Sequence, residues 1–261
     1  MIVKQILVQG NDLKTNPELS FILPAYNEQD NIKQIAERMD QIMRPTKIKY
    51  EVIVVNDGSR DETAKRAFEY SKYNGHVRVL SYKKNMGKGY AIKAGFLKAT
   101  GDIVVFIDSD LDIDPIQIDQ YVEALKYGDI ATASKRHPQS YVEMPLLRKI
   151  SSLGFNMLVR SLTGLKMNDT QAGLKVCKRN RLEKVLSIVS VKRFAFDVEF
   201  FAVANLCGLK IIEMPVNIQV RNDSFKAKEI LNMFIDLLGI TYRLKSNKYY
   251  KKLNHDRGNV V

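Results

Sequence analysis

The stretch that decides the fold is "DIVVFIDSDLDIDP", residues 102–115. An apolar run, 103–107, leads into carboxylates at alternate positions: Asp108, Asp110, Asp112 and Asp114. A short continuous apolar run bounded by turn residues is a strand buried on both faces. Continued as a strand, the alternation places Asp108, Asp110 and Asp112 on one side. Carboxylates crowded at the end of a buried strand repel one another, and a hard divalent cation relieves that repulsion through oxygen ligands. Mg²⁺ or Mn²⁺ rests on one or two carboxylates plus substrate phosphates, so a diphosphate ligand fits both the cluster and a basic protein. The rival reading is a solvated acidic turn. It is preferred for Asp114, which precedes Pro115, whereas Asp108 and Asp110 are taken as metal and nucleotide groups.

Working toward the N-terminus, strand and helix patterns alternate. "LSFILPAYN" (19–27) is a buried strand that stops at Pro24. Residues 28–43 carry apolar side chains at 32, 35, 39 and 42, a helical spacing. "YEVIVVNDGS" (50–59) is a second strand, followed by a helix that Asp61, or Ser59 with Glu62, can cap. "VRVLSY" (77–82) is a third strand, and residues 88–100 form a helix ended by Gly101. Four strand–helix alternations with continuous apolar strands imply a mostly parallel sheet, α/β in class, with helices on both faces. Ligands bind such sheets beyond the carboxyl ends of the strands, where "PAYNE", "NDGS" and "DSDLD" fall. These three clusters are expected to converge on one crevice.

After residue 115 the pattern loosens. A helix (116–127) and a strand (129–136) precede an apolar, basic stretch at 144–165. Then come "NDTQAGLKVCKR" (168–179), a helix, "RFAFDVEFFAVANLCG" (193–208) and a strand, "KIIEMPVNIQV" (210–220). With no linker or repeat, the simplest division is one domain over 1–221 and a basic, amphipathic helical appendage over 222–261.

"FILPAYNEQDNI", "VIVVNDGSRDET", "NMGKGYAIKAGF" and "IDSDLDIDP", in that order over residues 19–115, resemble glycosyltransferase family 2 with its GT-A (Rossmann-like) fold. "ASKRHPQS", "NDTQAGLKV" and "RFAFDVEFF" extend the resemblance to about residue 221, toward the branch that moves sugar onto dolichyl or polyprenyl phosphate. The "FDVE" segment is similar to that of dolichyl-phosphate glucosyltransferases.

The resemblance implies an inverting, metal-dependent transferase that uses a nucleotide-sugar donor, UDP-glucose ahead of GDP-mannose, with Mg²⁺ or Mn²⁺. It places Pro24, Ala25, Tyr26 and Glu28 at the base and ribose, Asp57 on the base, and Lys88, Asp108 and Ser109 by the nucleotide. Asp108 and Asp110 would hold the metal and diphosphate. Relatives often carry Gln where this chain has Asp112, a third carboxylate able to bind the ion. Each assignment has a plainer rival: a strand end for Tyr26 and Glu28, a turn former for Asp57, a solvated helix residue for Lys88.

A lipid phosphate is a ready nucleophile, because its second pKa is about 6. It needs cations that place it, and Arg suits that through bidentate geometry. The resemblance assigns Arg136, Arg148 and Arg221 to the acceptor phosphate, with Ser152 assisting, and Asp169 as base or orienting group beside Gln171. Gln171, Asp197 and Glu199 are expected to shape the sugar pocket, the last two at the start of a helix where carboxylates also gain from the dipole. The stretches 144–165 and 228–252 combine apolar with basic residues and suit a membrane interface. The alternative is burial in the core or in a homo-oligomer interface.

Composition is that of a soluble globular protein. The chain has 261 residues, 45% hydrophobic, and a net charge of +12 that favours anionic partners. No apolar run approaches the roughly 20 residues of a membrane span. The N-terminus is too short and polar for a signal peptide, so a cytoplasmic protein held peripherally at a membrane is expected. Cys177, Cys207 and three scattered histidines show no zinc spacing. A non-catalytic protein using its basic surface for nucleic acid or membrane would leave "DSD" without a role, so no nucleic-acid partner is expected. A family 2 enzyme acting on a glycan or other soluble hydroxyl would leave the arginine set unexplained.

Overall fold

A computed structural model of the protein describes residues 7–9, 17–193, 195–220, 227–245 and 249–250. Eight strands form one sheet. Its parallel centre consists of β2 (Leu19–Ala25), β3 (Tyr50–Asp57), β4 (Val77–Tyr82) and β5 (Ile103–Ile107). The edge strand β1 (Leu7–Gln9) pairs antiparallel with β4. Beyond β5 the order continues through β8 (Leu174–Lys178), β6 (Ile130–Ala133) and β9 (Ile211–Met214). β8 runs antiparallel between β5 and β6, which the apolar pattern alone does not distinguish from a parallel neighbour. A second, two-stranded sheet pairs β7 (Tyr141–Glu143) with β10 (Asn217–Gln219). The expected single strand 210–220 is therefore two strands in different sheets, separated at Pro215, which lacks a ladder donor.

Helices cover both faces, as expected. α1 (Ile32–Met43), α2 (Thr63–Tyr73) and α4 (Ile118–Ala124) pack on one face with Phe21, Leu23, Val54 and Val105. α3 (Lys88–Phe96), α6 (Arg179–Ile188) and α7 (Phe196–Leu206) pack on the other with Ile22, Val55 and Phe106. Consecutive residues of β2 thus point into different cores, as strand alternation requires. α5 (Leu146–Thr163) and α8 (Ala227–Lys245) pack against each other, and Leu237 and Ile240 of α8 are fully buried in the second core. The C-terminal helix is thus built into the body of the fold. The expected boundary at 221/222, and Arg221 itself, lie outside the described residues.

Two local expectations change. α3 ends at Phe96, short of Gly101. Gly101 instead permits close chain approach, since a Cβ there would meet the Leu19 carbonyl carbon and the Ser20 nitrogen at 2.9 Å. Neither expected cap forms: the residue preceding α2 is Glu62, Asp61 Oδ1 accepts from the Thr63 N–H at 3.0 Å in a local turn, and Ser59 Oγ accepts from the Asn27 N–H.

One buried acid ties the N-terminal ends of the central strands. Glu51, with no solvent exposure, accepts from Ser20 Oγ (2.7 Å) and from the Thr100 N–H and Oγ1 (both 2.8 Å), and pairs with Arg78. Glu51→Ala strands these donors and is expected to cost about 3 kcal/mol. Thermal melts followed by circular dichroism should show a fall of roughly 10 °C.

Candidate active site

The carboxyl ends of β2, β3 and β5 deliver their polar residues to one cleft of about 290 Å³. Pro24, Ala25, Tyr26, Glu28, Asp57, Lys88, Asp108, Ser109 and Asp110 all line it, so every residue assigned to the nucleotide and diphosphate from sequence is brought together, whereas Gln171, Asp197 and Glu199 are not among its lining residues. Asn85, Gly87, Arg193, Asn232, Met233 and Asp236 complete the lining.

Backbone-to-side-chain bonds stitch the strand-end loops together. The Asn27 N–H donates to Ser59 Oγ (3.0 Å), the Glu28 N–H to Thr63 Oγ1 (2.8 Å), and the Arg60 N–H to Asn27 Oδ1 (2.9 Å). Asn27 adopts φ 57°, a left-handed conformation that Asn tolerates. Tyr26 is left 40% exposed, its ring available as an apolar surface. Glu28 is held by Asn31 Nδ2 at 2.8 Å. Burial raises its pKa; Asn31 opposes this, and Asp108, Asp61 and Asp112 add to it.

Asp57 has a structural duty beyond the expected base contact. Its carboxylate accepts from the Met86 N–H (2.7 Å) and the Gly87 N–H (2.8 Å), which fixes the turn that begins α3. Burial raises its pKa, and these two N–H groups partly offset the rise. Gly87 has φ +94°, and a Cβ there would meet the Lys192 carbonyl oxygen at 2.3 Å. The turn therefore admits only glycine.

Lys88, the first residue of α3, is largely withdrawn from solvent, its side chain 13% exposed. Its Nζ lies 2.8 Å from Asp108 Oδ1 and 3.2 Å from Asp197 Oδ2. Burial alone would lower its pKa, but Asp108 and Asp197 outweigh burial and raise it. Asp197 is in turn 2.8 Å from Nζ of Lys175, itself buried on β8. The expectation that Asp197 and Glu199 shape a sugar pocket is corrected here. The first turn of α7 faces the interior, so Asp197 positions Lys88. Glu199 is fully buried and accepts from the Ser190 and Val191 N–H groups (2.8 and 2.6 Å), Arg243 Nη2 (3.1 Å) and Tyr250 Oη (2.6 Å).

The acidic turn is sharply shaped. Leu111 has φ 62°, Ser109 Oγ donates to the Pro24 carbonyl (2.9 Å), and the Asp112 N–H donates to Asp110 Oδ1 (3.0 Å). Asp114 is the turn residue it was read to be. It accepts from the Ile116 N–H and forms a two-pronged pair with Arg38 of α1. Asp112, expected as a third metal ligand, lies 3.5 Å from Arg148 Nη2. Among the described residues no three His, Cys, Asp or Glu side chains form a ready metal cage. Asp108 and Asp110 nevertheless fit a hard divalent cation. Burial, then Asp108, then Asp112 push the Asp110 carboxyl up to about 7, a charge conflict that a cation would relieve.

A second cluster adjoins the acidic turn. Asp169 is 2% exposed and accepts from the Lys135 N–H (2.9 Å) and the Gln171 N–H (3.0 Å), with Lys135 Nζ at 2.7 Å. Burial raises its pKa, but Lys135 and these N–H groups outweigh that and hold it below the usual carboxylate range. Arg136 donates to the Asn168 carbonyl (3.0 Å), the Ser152 carbonyl (2.8 Å) and Ser152 Oγ (3.2 Å). Arg136, Ser152 and Asp169 are thus brought together, and Arg148 joins the acidic turn. Gly173 lets the two clusters touch, since a Cβ there would meet Asp108 Oδ2 at 2.5 Å.

Sequence reading missed Lys135, Arg193, Asn232 and Asp236. Lys135 carried a signal as the neighbour of Arg136 in "ASKR", and Arg193 as the first residue of "RFAFDVEFF"; Asn232 and Asp236 carried none.

The Asp110 charge conflict has a measurable sign. Its pKa is about 7 in the fold and about 3.9 unfolded. Without metal, its contribution to stability is therefore intact below pH 4 and is lost as pH rises to 7. With chelator present, Asp110→Asn should melt higher than the parent at pH 8, and the difference should vanish near pH 4.

The family model described as "Glycosyl transferase family 2" matches residues 20–186. The chain is 31% identical over 244 residues to a dolichyl-phosphate beta-glucosyltransferase of Trichomonas vaginalis, covering 87% of this chain and 74% of that protein. It is 32% identical over 219 residues to the dolichyl-phosphate beta-glucosyltransferase of Homo sapiens, covering 77% and 67%. In fold it resembles the glucosyl-3-phosphoglycerate synthase of Mycobacterium tuberculosis solved with phosphoglyceric acid. The TM-score is 0.66 at 19% identity, over 87% of this chain and 80% of that one. The same synthase has also been solved with Mn²⁺, UDP-glucose and phosphoglyceric acid (TM-score 0.63, 18% identity, 87% and 79% covered). With the donor cleft, the acidic turn and the matched residues in agreement, this chain belongs to glycosyl transferase family 2 and is a glycosyltransferase.

Proposed function

We propose that this enzyme transfers glucose from UDP-glucose to dolichyl or polyprenyl phosphate with inversion at the anomeric carbon. The observation that carries the reading is the pairing of two clusters: the Lys88–Asp108–Asp110 cleft, and a group of cations, Lys135, Arg136 and Arg148, beside it. Several relatives that match most of the chain, those of Trichomonas vaginalis and Homo sapiens among them, are dolichyl-phosphate beta-glucosyltransferases.

In this reading Tyr26 and Asp57 flank the base, and Asp108 and Asp110 hold Mg²⁺ or Mn²⁺ against the donor diphosphate. Bound there, the cation supplies charge neutralisation for the departing nucleotide. Lys88, fixed by Asp197, adds a positive charge beside the same oxygens. Arg136 and Lys135 place the acceptor phosphate, whose anionic oxygen attacks the anomeric carbon as the bond to the nucleotide breaks. Asp169 orients Lys135 and Arg136 and is not needed to remove a proton.

The lipid suits the outer surface of α5 and α8. Leu147 (77% exposed), Ile150 (59%) and Met157 (63%) lie exposed on α5, and Leu231 (59%), Ile235 (57%) and Leu238 (46%) lie exposed on α8, which packs against it. No described helix is long and apolar enough to cross a membrane. Packed side by side, the two helices form an apolar platform suited to lying in a membrane interface.

The reaction is tested by incubating the protein with dolichyl phosphate, Mg²⁺ or Mn²⁺, and labelled UDP-glucose or GDP-mannose, with and without chelator. Label from UDP-glucose should enter the organic phase, chelator should abolish it, and Asp110→Asn should lower it at least a hundredfold. Label that stays in water with a soluble acceptor would refute the lipid assignment. The double variant Ile150→Asp/Ile235→Asp should lose co-sedimentation with anionic vesicles and activity on the lipid, while UDP binding is unchanged.

A further inference from the structure

The family model ends at residue 186, yet α8 forms a wall of the donor cleft. Asn232 and Asp236, one helical turn apart and so on one side of the helix, line it with Met233. Exposed Phe234, Ile235 and Leu238 belong to the apolar platform. The placement of α8 is firm. Leu237 and Ile240 are fully buried, and Arg243 donates to Glu199 at 3.1 Å and to Tyr250 Oη at 2.8 Å. Glu199 also holds the Ser190 and Val191 N–H groups, next to Lys192, whose carbonyl accepts from Gly89 in α3. The helix wall and the turn that carries Lys88 are therefore braced by one buried carboxylate.

On this braced wall Asp236 stands out. Its Oδ2 is closed off from solvent and has no hydrogen-bond partner among the described residues. Buried polar atoms without partners are rare in native structures, and one beside a ligand cleft marks a place where a donor is missing. Burial raises the Asp236 pKa, while Arg193 and Arg243 partly offset the rise. The chemistry of the missing donor is restricted. A carboxylate only accepts, so it is repelled by a diphosphate and is matched by a hydroxyl. Rotation about the broad, two-fold χ2 of Asp presents either oxygen to the cleft.

We propose that Asp236, with Asn232 beside it, accepts a hydrogen bond from a hydroxyl of the bound nucleotide sugar, which makes α8 part of donor recognition. The inference rests on the UDP-sugar reading of the cleft. The hydroxyl belongs to the ribose or to the hexose, two sources of the same chemistry.

The test is calorimetric titration of the full chain with UDP, 2′,3′-dideoxy-UDP and UDP-glucose in Mn²⁺, for the parent, Asp236→Ala and Asp236→Asn. Asp236→Ala should weaken UDP-glucose binding about tenfold or more, and Asp236→Asn, which keeps one acceptor oxygen, by less. A loss confined to UDP-glucose assigns the hexose. A loss shared with UDP but absent from the dideoxy analogue assigns the ribose. Equal binding by the parent and both variants, or equal weakening for all three ligands, would overturn the proposal. A parent that binds none of the three would overturn the donor reading itself, and this inference with it. Asp236→Asn preserves size and shape, so it separates lost recognition from lost folding should the alanine variant melt early.

Discussion

The site depends on one chain of alternating charge that runs from the cleft into the core: Asp108, Lys88, Asp197 and Lys175, each within 3.2 Å of the next, the last two buried. Lys88 occupies the least natural place in it. A cation at a helix N-terminus opposes the helix dipole, and a buried cation gives up its hydration. Only the two carboxylates make that position tolerable, and they come from β5 and α7, with Lys175 behind them on β8. Four elements far apart in sequence are therefore held in register by charges that none can satisfy alone. Truncating one link leaves a buried charge unpaired, a penalty larger than that for losing a surface pair.

Glycines set the distances over which this chain operates. Gly87 lets the Asp57 carboxylate and the 192–193 backbone both reach the start of α3, and Gly173 lets the chain after Asp169 pass against Asp108. That second contact joins the two halves of the site. The acidic turn touches the Lys135–Arg136–Asp169 cluster through Gly173 on one side and approaches α5 through Asp112 and Arg148 on the other. A cation bound at Asp108 and Asp110 would therefore sit beside the arginines expected to hold the incoming phosphate. In the proposed reading, opposite charges bracket the place where two anionic substrates meet.

The donor half was legible in sequence because its physics is local. Apolar strands end in short polar clusters, parallel order puts those ends together, and Tyr26, Asp57 and Asp108 each sit within a residue or two of a strand end. The rest depends on what packs against what. Asp197 and Glu199 look alike in sequence whether the first turn of α7 faces a pocket or the core, and the structure turns both inward. β8 follows the same strand pattern as the parallel strands of the sheet, so its reversal is invisible until its partners are known. The basic, amphipathic tail gave the surface character of α8 but not the cleft wall on its inner side. That face is set by Glu199, Arg243 and Tyr250, which meet across as many as 51 positions of sequence.

Asp169 bears most directly on the chemistry. A general base works best when its pKa lies near the operating pH and its lone pairs face the proton it removes. Asp169 meets neither condition. Two backbone N–H groups and Lys135 Nζ occupy its oxygens, and its pKa lies below the ordinary carboxylate range. Such a carboxylate suits orientation of cations better than proton abstraction. A neutral hydroxyl acceptor would need a base that this cluster does not provide. A phosphate acceptor brings its own negative oxygen and needs only the placement that Lys135 and Arg136 offer. The electrostatics of this one buried aspartate thus favour an ionised acceptor independently of the family resemblance.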